Sequence, residues 1–489
     1  MAANLNGLVK RLRDIMRMDS GINGDAQRIE QIAWILFLKV YAAKEEDWEM
    51  EGDYESIIPE PYRWMNWAAD DGKGKALTGE ELLDFVNAMF RVLKDLPVTP
   101  DMPKKKTIVK TVFEDANQYM KDGVLLRQVV NTIDAIDLSS YENIHALGDI
   151  YETILKDLQS AGSAGEFYTP RAVTDFMAEM IHPKLGEKMA DFACGTGGFL
   201  TSWLKGLAPQ IHTPEDQVLY NDSIYGVEKK PFPYQLCITN MLLHDIDEPH
   251  ITYGNSLMKD VLDYTDRDRF DVILMNPPYG GNEKADVQKH FPADLADSET
   301  ADLFMSVMMY RLKKGGRAAV IQPDGFLFGT DNTKANIKKK LMKEFNLHTI
   351  IRLPGSVFAP YTSITTNILF FNHTGPTKET WIYRLDMPEG YKHFSKTKPM
   401  QLAHFAPVMA WWDQREEIEK EGWPKAKCYS ADEIEAKGYN LDLCGFPHEE
   451  EEILPPHELM AAYQQKRQDL NRRIDTILAE IEKEMGEPS

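Results

Sequence analysis

The sequence predicts an α/β protein in which an all-helical segment over residues 1–145 precedes a mostly parallel sheet with an antiparallel edge strand over 146–375. A mixed extension over 376–453 and a closing helix over 454–489 complete the division. Three observations carry this reading. Asp191-Phe192-Ala193-Cys194-Gly195-Thr196-Gly197-Gly198-Phe199-Leu200 reads as strand, glycine turn and helix, because Lys188 to Phe192 is too short and Gly-flanked for a helix while Phe199 to Leu204 has helical spacing. The apolar run Asp271-Val272-Ile273-Leu274-Met275 stops at Asn276-Pro277-Pro278-Tyr279, since two prolines cannot continue a ladder. Ahead of both, amphipathic stretches alternate with polar turns.

In the first segment Leu5, Leu8, Val9, Leu12, Ile15 and Met16 follow a helical period, and Gly21 to Gly24 breaks it. Asp25 can cap a second helix carrying Ile29, Ile32, Ala33, Leu36, Phe37 and Val40. Trp34 to Tyr41 is apolar nearly all round, which suits the centre of a helical domain. Further helical patterns cover Glu80 to Leu93 and Ile108 to Met120. A helix around His145 to Leu158 leads into the small-residue loop Ser160 to Gly165, a linker by composition and a candidate lid by its place before the glycine turn.

Past the glycine turn come a helix from Phe199 to Leu207, an insertion from Ala208 to Asp222, and a second strand, Ile224-Tyr225-Gly226-Val227-Glu228. Pro233 to Leu243 is helical, and Ile251 to Leu257 gives a short third strand ending in polar groups. Thr300 to Leu312 is a helix that Gly315-Gly316 ends. Arg317 to Ile321, His348 to Leu353 and Thr366 to Phe371 follow as strands, the last as the antiparallel edge. Lys338-Lys339-Lys340 reads as a solvated helix face. After residue 375 the chain mixes turns, aromatics and short helices. In the closing helix Tyr463 and Leu470 lie one heptad apart, and Leu470, Ile474, Ile477 and Ile481 then alternate four and three as in a coiled-coil seam. That seam fits packing within its own domain or against a partner.

Hydrophobic residues at 43% and charged residues at 27% are ordinary for a globular protein, so the formal net charge of -22 stands out. A protein that gripped nucleic acid alone would show a basic balance, because phosphate neutralisation supplies most of the non-specific affinity. Either the basic groups are gathered in one cleft, or another subunit does much of the gripping. The four cysteines form no Cys-x-x-Cys pair, which argues against a zinc site and a disulfide framework and for a reduced cytosol. No signal-peptide core and no apolar stretch of about 18 residues occurs, so a cytoplasmic protein with no membrane contact and no metal is expected.

Gly195, Gly197 and Gly198 let the backbone take positive φ and approach a ligand closely at the sheet's C-terminal edge, beside Asp191. No Lys-Ser or Lys-Thr follows, so phosphate is not the obvious ligand. Glu228, at the end of the second strand, is the acid a ribose needs, though its interval from the glycines exceeds the usual ~20 residues and a surface acid is the plain alternative. Asn255, after Gly254, suits an adenine edge or a simple turn. Asn276-Pro277-Pro278-Tyr279 is a stiff loop that presents Asn276 and Tyr279 at the same sheet edge, or a proline-terminated strand whose Asn makes a local bond.

Together these residues resemble the S-adenosylmethionine-dependent amino-methyltransferases, Rossmann-like enzymes whose glycine turn, here Gly195-Thr196-Gly197-Gly198, cradles the cofactor. In that family an Asn/Asp-Pro-Pro-Tyr/Phe loop holds the amine. A third match is Glu166-Phe167-Tyr168-Thr169-Pro170-Arg171, similar to the family's upstream cofactor-binding segment. The order of the three motifs is that of gamma-type DNA adenine methyltransferases, and their wording most resembles the modification subunit of type I restriction-modification systems. The resemblance implies methylation at N6 of an adenine flipped out of double-stranded DNA, with Asn276, Pro277, Pro278 and Tyr279 catalytic. It also implies a separate specificity subunit, commonly with two modification subunits around it, and leaves room for a restriction subunit. The region after residue 375 is too short for a full reading domain of about 100 residues plus the closing helix. The polar segment from Gly280 to Thr300 is then a candidate for a loop ordered with DNA. Methylation of a protein glutamine or an RNA adenine, or a scaffold that keeps a cofactor pocket only for assembly, stay open at this point.

Overall fold

The computed structural model describes residues 2–50, 52, 54–69, 76–138, 147–148, 151–156, 168–446 and 456–485. The expected lid at 160–165, Glu166, Phe167 and most of the helix expected at 145–158 lie outside the described residues. The chain forms two compact units, Met1–Gly445 and Phe446–Ser489.

The first unit begins with helices Ala2–Arg17, Gly24–Met50, Gly79–Lys94, Lys104–Glu114 and Gly123–Asp134. Gly24–Met50 is central, as its all-round apolar stretch demands: Trp34 meets Phe90 edge-on at 5.0 Å, and Phe90 meets Phe113 at 5.1 Å. Asp25 does not cap this helix. The helix starts one residue earlier, at Gly24, and Asp25 sits in the first turn, paired with Arg28 at 2.6 Å. Gly123–Asp134 is a helix the sequence reading leaves out; the Asp122 carboxylate caps it by accepting from the Val124 and Leu125 N–H groups. Lys44 ties the central helix to the sheet region through Asp245 at 2.7 Å and Asp247 at 3.2 Å.

The sheet has ten strands in the order β3-β2-β1-β4-β5-β7-β6-β8-β10-β9. They are β1 Met189–Asp191, β2 Ile224–Glu228, β3 Ile251–Tyr253, β4 Phe270–Met275, β5 Leu312–Pro323, β6 Asn346–Arg352, β7 Thr366–Asn372, β8 Glu379–Arg384, β9 Ile418–Lys420 and β10 Trp423–Ser430. β3, β2, β1, β4 and β5 are parallel neighbours. Both faces are covered, and the period-2 alternation of the strands divides two cores. Val272, Leu274, Ala319, Ile321, Ile368 and Phe370 face one core, whereas Ile273, Met275, Ala318, Val320, Leu369 and Phe371 face the other.

Four further expectations need correction. The helix from Thr300 ends at Arg311, where β5 begins, so Gly315-Gly316 lie inside a strand and do not end the helix. β7 is antiparallel, as expected, but it is no edge: it runs between β5 and β6, antiparallel to both. The region after 375 is not only turns and short helices, because β8, β10 and β9 prolong the sheet. Lys338 is not on a solvated face. Its ammonium is buried and donates to the Leu327 and Gly329 carbonyls at 2.9 and 2.6 Å, at the C-terminal end of the short helix Asp324–Phe328, where carbonyls lack helical partners. The segment from Gly280 to Thr300 carries a short helix, Ala285–Gln288, and a bridge pairing Asn282 with Glu299.

Among its described residues the second unit holds one helix, Pro456–Met485. Tyr463, Leu470, Ile474 and Ile477 of the expected seam are exposed along it. No helix among the described residues is long and apolar enough to cross a membrane.

Candidate active site

β1 ends at Asp191, and the chain turns through Gly195 and Gly197, at φ 53° and 82°, into the helix Gly198–Leu207. Four neighbours hold the turn. The Gly195 N–H donates to Glu228 Oε2 at 2.9 Å, and the Cys194 N–H to the Val227 carbonyl at 3.0 Å. Asn240 Nδ2 donates to the Thr196 carbonyl at 3.0 Å, and Ser256 Oγ to the Phe192 carbonyl at 2.6 Å. Glu228 is buried at the end of β2, and its other oxygen accepts from the Lys230 N–H at 2.7 Å. Asp191 is fully buried and accepts from the Ala193 N–H at 3.1 Å. Burial pushes its carboxyl up to about 8, against that hydrogen bond and with further upward pressure from Glu228.

Gly197 and Gly198 are constrained differently. A side chain at Gly197 would sit in a left-handed backbone and meet Cys237 Sγ at 3.0 Å, so a substitution there strains the turn itself. At Gly198 a Cβ would stand 2.0 Å from Arg171 Nη1. That guanidinium cannot simply swing away, because Glu152 holds Nε and Nη2 at 2.6 Å each and its Cζ lies 5.1 Å from the Tyr168 ring centroid. Gly198→Ala is therefore expected to unseat Arg171 and weaken cofactor binding by about tenfold, measured by titration calorimetry. Unchanged affinity would show that the Arg171 seat does not shape the pocket.

The second half of the site follows β4. Asn276 Nδ2 donates to Thr169 Oγ1 at 3.0 Å, while Asn276 Oδ1 is buried with no hydrogen-bond partner. Gly280, at φ 75°, lets the chain leave after Tyr279. Tyr168, Asn276, Pro277, Pro278, Tyr279, Phe358 and Tyr361 line a narrow cleft here. Burial raises the Tyr279 phenol, and Tyr361 opposite raises it further. Burial likewise pushes Tyr168 up to about 12.

The segment Tyr168–Arg171 thus joins the two halves, with Arg171 on the glycine turn and Thr169 on Asn276; Pro170 stands just before the helix Arg171–Ile181. Gly195 and Glu228 meet directly. Asn255 lies next to Glu228 through the bond from Gly254 N–H to the Glu228 carbonyl at 2.9 Å, but its own Oδ1 accepts from the Leu257 N–H, a local turn. Sequence reasoning missed Glu152, Asn240, Phe358 and Tyr361. Asn240 left a signal, a buried amide inside the apolar run Cys237 to Leu243; Glu152 left none. A cavity of about 1050 Å³ adjoins the site through Tyr168, Pro170 and Arg171 but is not lined by the glycine turn, Glu228 or Asn276.

The groups present fit S-adenosylmethionine. A turn with positive φ at two glycines gives close backbone approach, and the Asp191 carboxyl, pushed up by burial and by Glu228, suits a positively charged ligand.

The chain matches the N-6 DNA Methylase family over residues 142–453 and the HsdM N-terminal domain over residues 5–133. It is 47% identical over 474 residues to the type I restriction enzyme EcoEI methylase subunit of Escherichia coli, covering 96% of this chain and 95% of the relative. The StySPI methylase subunit of Salmonella potsdam is 30% identical over 439 residues, covering 83% of this chain and 75% of the relative. Among solved structures, a modification subunit assigned to a type I restriction enzyme of Vibrio vulnificus superposes with a TM-score of 0.76 at 41% identity, covering 89% of this chain and 93% of that one. A chain from a study of type I restriction-modification complex assembly gives 0.80 at 33% identity, covering 99% of each. The chain belongs to the N-6 DNA methylase family, among the methylase subunits of type I restriction enzymes, and is an adenine-specific DNA methyltransferase that uses S-adenosylmethionine.

Proposed function

We propose that this chain methylates N6 of an adenine flipped from double-stranded DNA, with Asn276, Pro277, Pro278 and Tyr279 as the catalytic loop. The observation that carries the reading is the Asn276 amide, anchored at Nδ2 and left with a buried, unpaired acceptor at Oδ1. A buried acceptor without a donor costs about 1–3 kcal/mol, a cost that a donor arriving with the substrate would relieve. The N6 lone pair is delocalised into the ring. Bonds from the amine to Asn276 Oδ1 and the Pro277 carbonyl draw it toward sp³ geometry and free that pair. Tyr279 stacks on the base within the aromatic cleft, which returns about 1–3 kcal/mol of the few kcal/mol that flipping costs. Bound at the glycine turn, S-adenosylmethionine supplies the methyl group as an electrophile. The residues proposed to hold it are Glu166 to Arg171, Asp191, Gly195 to Gly198, Glu228 and Asn255. Orientation of amine against methyl then supplies most of the rate. The test of the catalytic loop is Asn276→Ala, taken up in the Discussion.

Asp191 gives the cofactor site a pH signature. A carboxyl that titrates at about 8 is protonated at pH 7, and a cation beside it favours the charged form. Binding therefore releases a proton, so affinity should rise from about pH 6 to 8 and level off above. Asp191→Asn should flatten that rise in titration calorimetry. The same slope in parent and variant would remove Asp191 from the cofactor site.

We further propose that the chain works docked on a specificity subunit, as one of two modification subunits, with a restriction subunit able to join them. Its acidic balance, the use of β8 to β10 to prolong the sheet, and the exposed seam on Pro456–Met485 support this. We place its work in the reduced cytosol.

A further inference from the structure

We propose that Thr169 is a positioning residue for methyl transfer: its hydroxyl anchors the Asn276 amide so that Oδ1 faces the incoming base. This rests on the reading of Asn276 as the group that accepts from the adenine amine. An unanchored amide rotates about its Cβ–Cγ bond and presents either end. With Nδ2 outward, an NH₂ would face the NH₂ of adenine, donor against donor, and the amine would keep its planar geometry. With Nδ2 on Thr169 Oγ1 at 3.0 Å, Oδ1 points away from the threonine as a buried acceptor. A hydroxyl can serve either end of an amide, so the arrangement that pairs both ends is the one with Oδ1 on the base.

The anchor is itself well held. Tyr168 on one side is buried, and Pro170 on the other fixes the start of the helix Arg171–Ile181. Two residues after Thr169, Arg171 is locked by Glu152 and seated against Gly198. Thr169 therefore acts toward the catalytic loop, whereas its neighbour Arg171 acts toward the glycine turn. The substrate-facing orientation of Asn276 is set from the segment that also borders the cofactor.

The experiment compares parent, Thr169→Val, Thr169→Ser and Asn276→Ala in the assembled complex on duplex DNA. Cofactor affinity is measured by calorimetry and kcat at saturating S-adenosylmethionine. Thr169→Val keeps the side chain's shape but removes the hydroxyl. It should lower kcat at saturating S-adenosylmethionine by about tenfold, a loss that weaker cofactor binding alone cannot produce. Thr169→Ser restores the hydroxyl and should recover most of kcat. Adding Thr169→Val to Asn276→Ala should cost nothing more, because the anchored group is already gone. If valine destabilises the fold, Thr169→Ala gives the same comparison with serine. Parent-like kcat in Thr169→Val alongside an inactive Asn276→Ala overturns the proposal and leaves the catalytic loop standing. A loss confined to cofactor affinity, with kcat recovered at saturation, also overturns it. An active Asn276→Ala removes the reading on which it rests.

Discussion

Replacing Asn276 by Ala is expected to lower methyl transfer by at least about a hundredfold, the scale seen when one preorganised hydrogen-bonding group aimed at the reacting atom is removed. Cofactor affinity should stay near that of the parent. The glycine turn is held by Glu228, Val227, Asn240 and Ser256, none of which depends on the loop after β4. The fold should not suffer either. Asn276 Oδ1 is buried without a partner, so alanine removes an unmet acceptor as well as the bond to Thr169. The two changes are of similar size, roughly 1 kcal/mol each, and the melting temperature should move by no more than a few degrees. Calorimetry, thermal melting and a labelled-methyl assay on the same preparation separate these effects. Lost activity with lost cofactor binding would make Asn276 part of the pocket's structure and not of its chemistry.

Removing the residues beyond Pro456 is expected to leave a folded, cofactor-binding protein that no longer joins its specificity subunit. The helix Pro456–Met485 belongs to a compact unit of its own, so Met1–Gly445 keeps both sheet cores when it is cut away. What is lost is a row of exposed apolar side chains, Tyr463, Leu470, Ile474 and Ile477. Burying one such side chain is worth roughly 1.5–3 kcal/mol, so losing even two of these contacts weakens assembly by a thousandfold or so. The assay is size-exclusion with light scattering of full-length and shortened chains mixed with the specificity subunit. Normal assembly of the shortened chain would move the contact to another surface, with the N-terminal helices as the next candidate. Methylation of one specific sequence by the purified full-length chain alone would refute dependence on a partner altogether.

The parts of the fold that could be read from sequence are those where local chemistry leaves little choice. Two prolines must end β4, glycines at positive φ must make the turn before Gly198, and a helix that is apolar nearly all round from Trp34 to Tyr41 must be central. Strand order was less legible because it depends on contacts distant in sequence. Thr366–Asn372 has the look of a strand, but nothing in it says that it inserts between β5 and β6. β10 was missed because Trp423–Ser430 carries Pro424, Lys425 and Lys427 and lacks a clean alternation; it tolerates them beside the short outermost strand β9, with a bulge at Pro424. In the site, the three motifs and their order are visible, but their joints are not. The Arg171–Glu152 pair, the bond from Asn240 to Thr196 and the aromatic wall of Phe358 and Tyr361 join residues that only the tertiary fold brings together.

If an acceptor at Asn276 Oδ1 acts on the adenine amine, the side chain at that position decides how much N6-methyladenine forms. Duplex DNA would be incubated with labelled S-adenosylmethionine and complexes carrying Asn, Asp or Ala at position 276, digested to nucleosides, and assayed for labelled N6-methyladenine. The account predicts abundant product with the parent, reduced but measurable product with Asn276→Asp, which keeps an acceptor oxygen, and product at least about a hundredfold lower with Asn276→Ala. N6-methyladenine formed by Asn276→Ala at the parental rate, or label appearing in a base other than adenine, would contradict it.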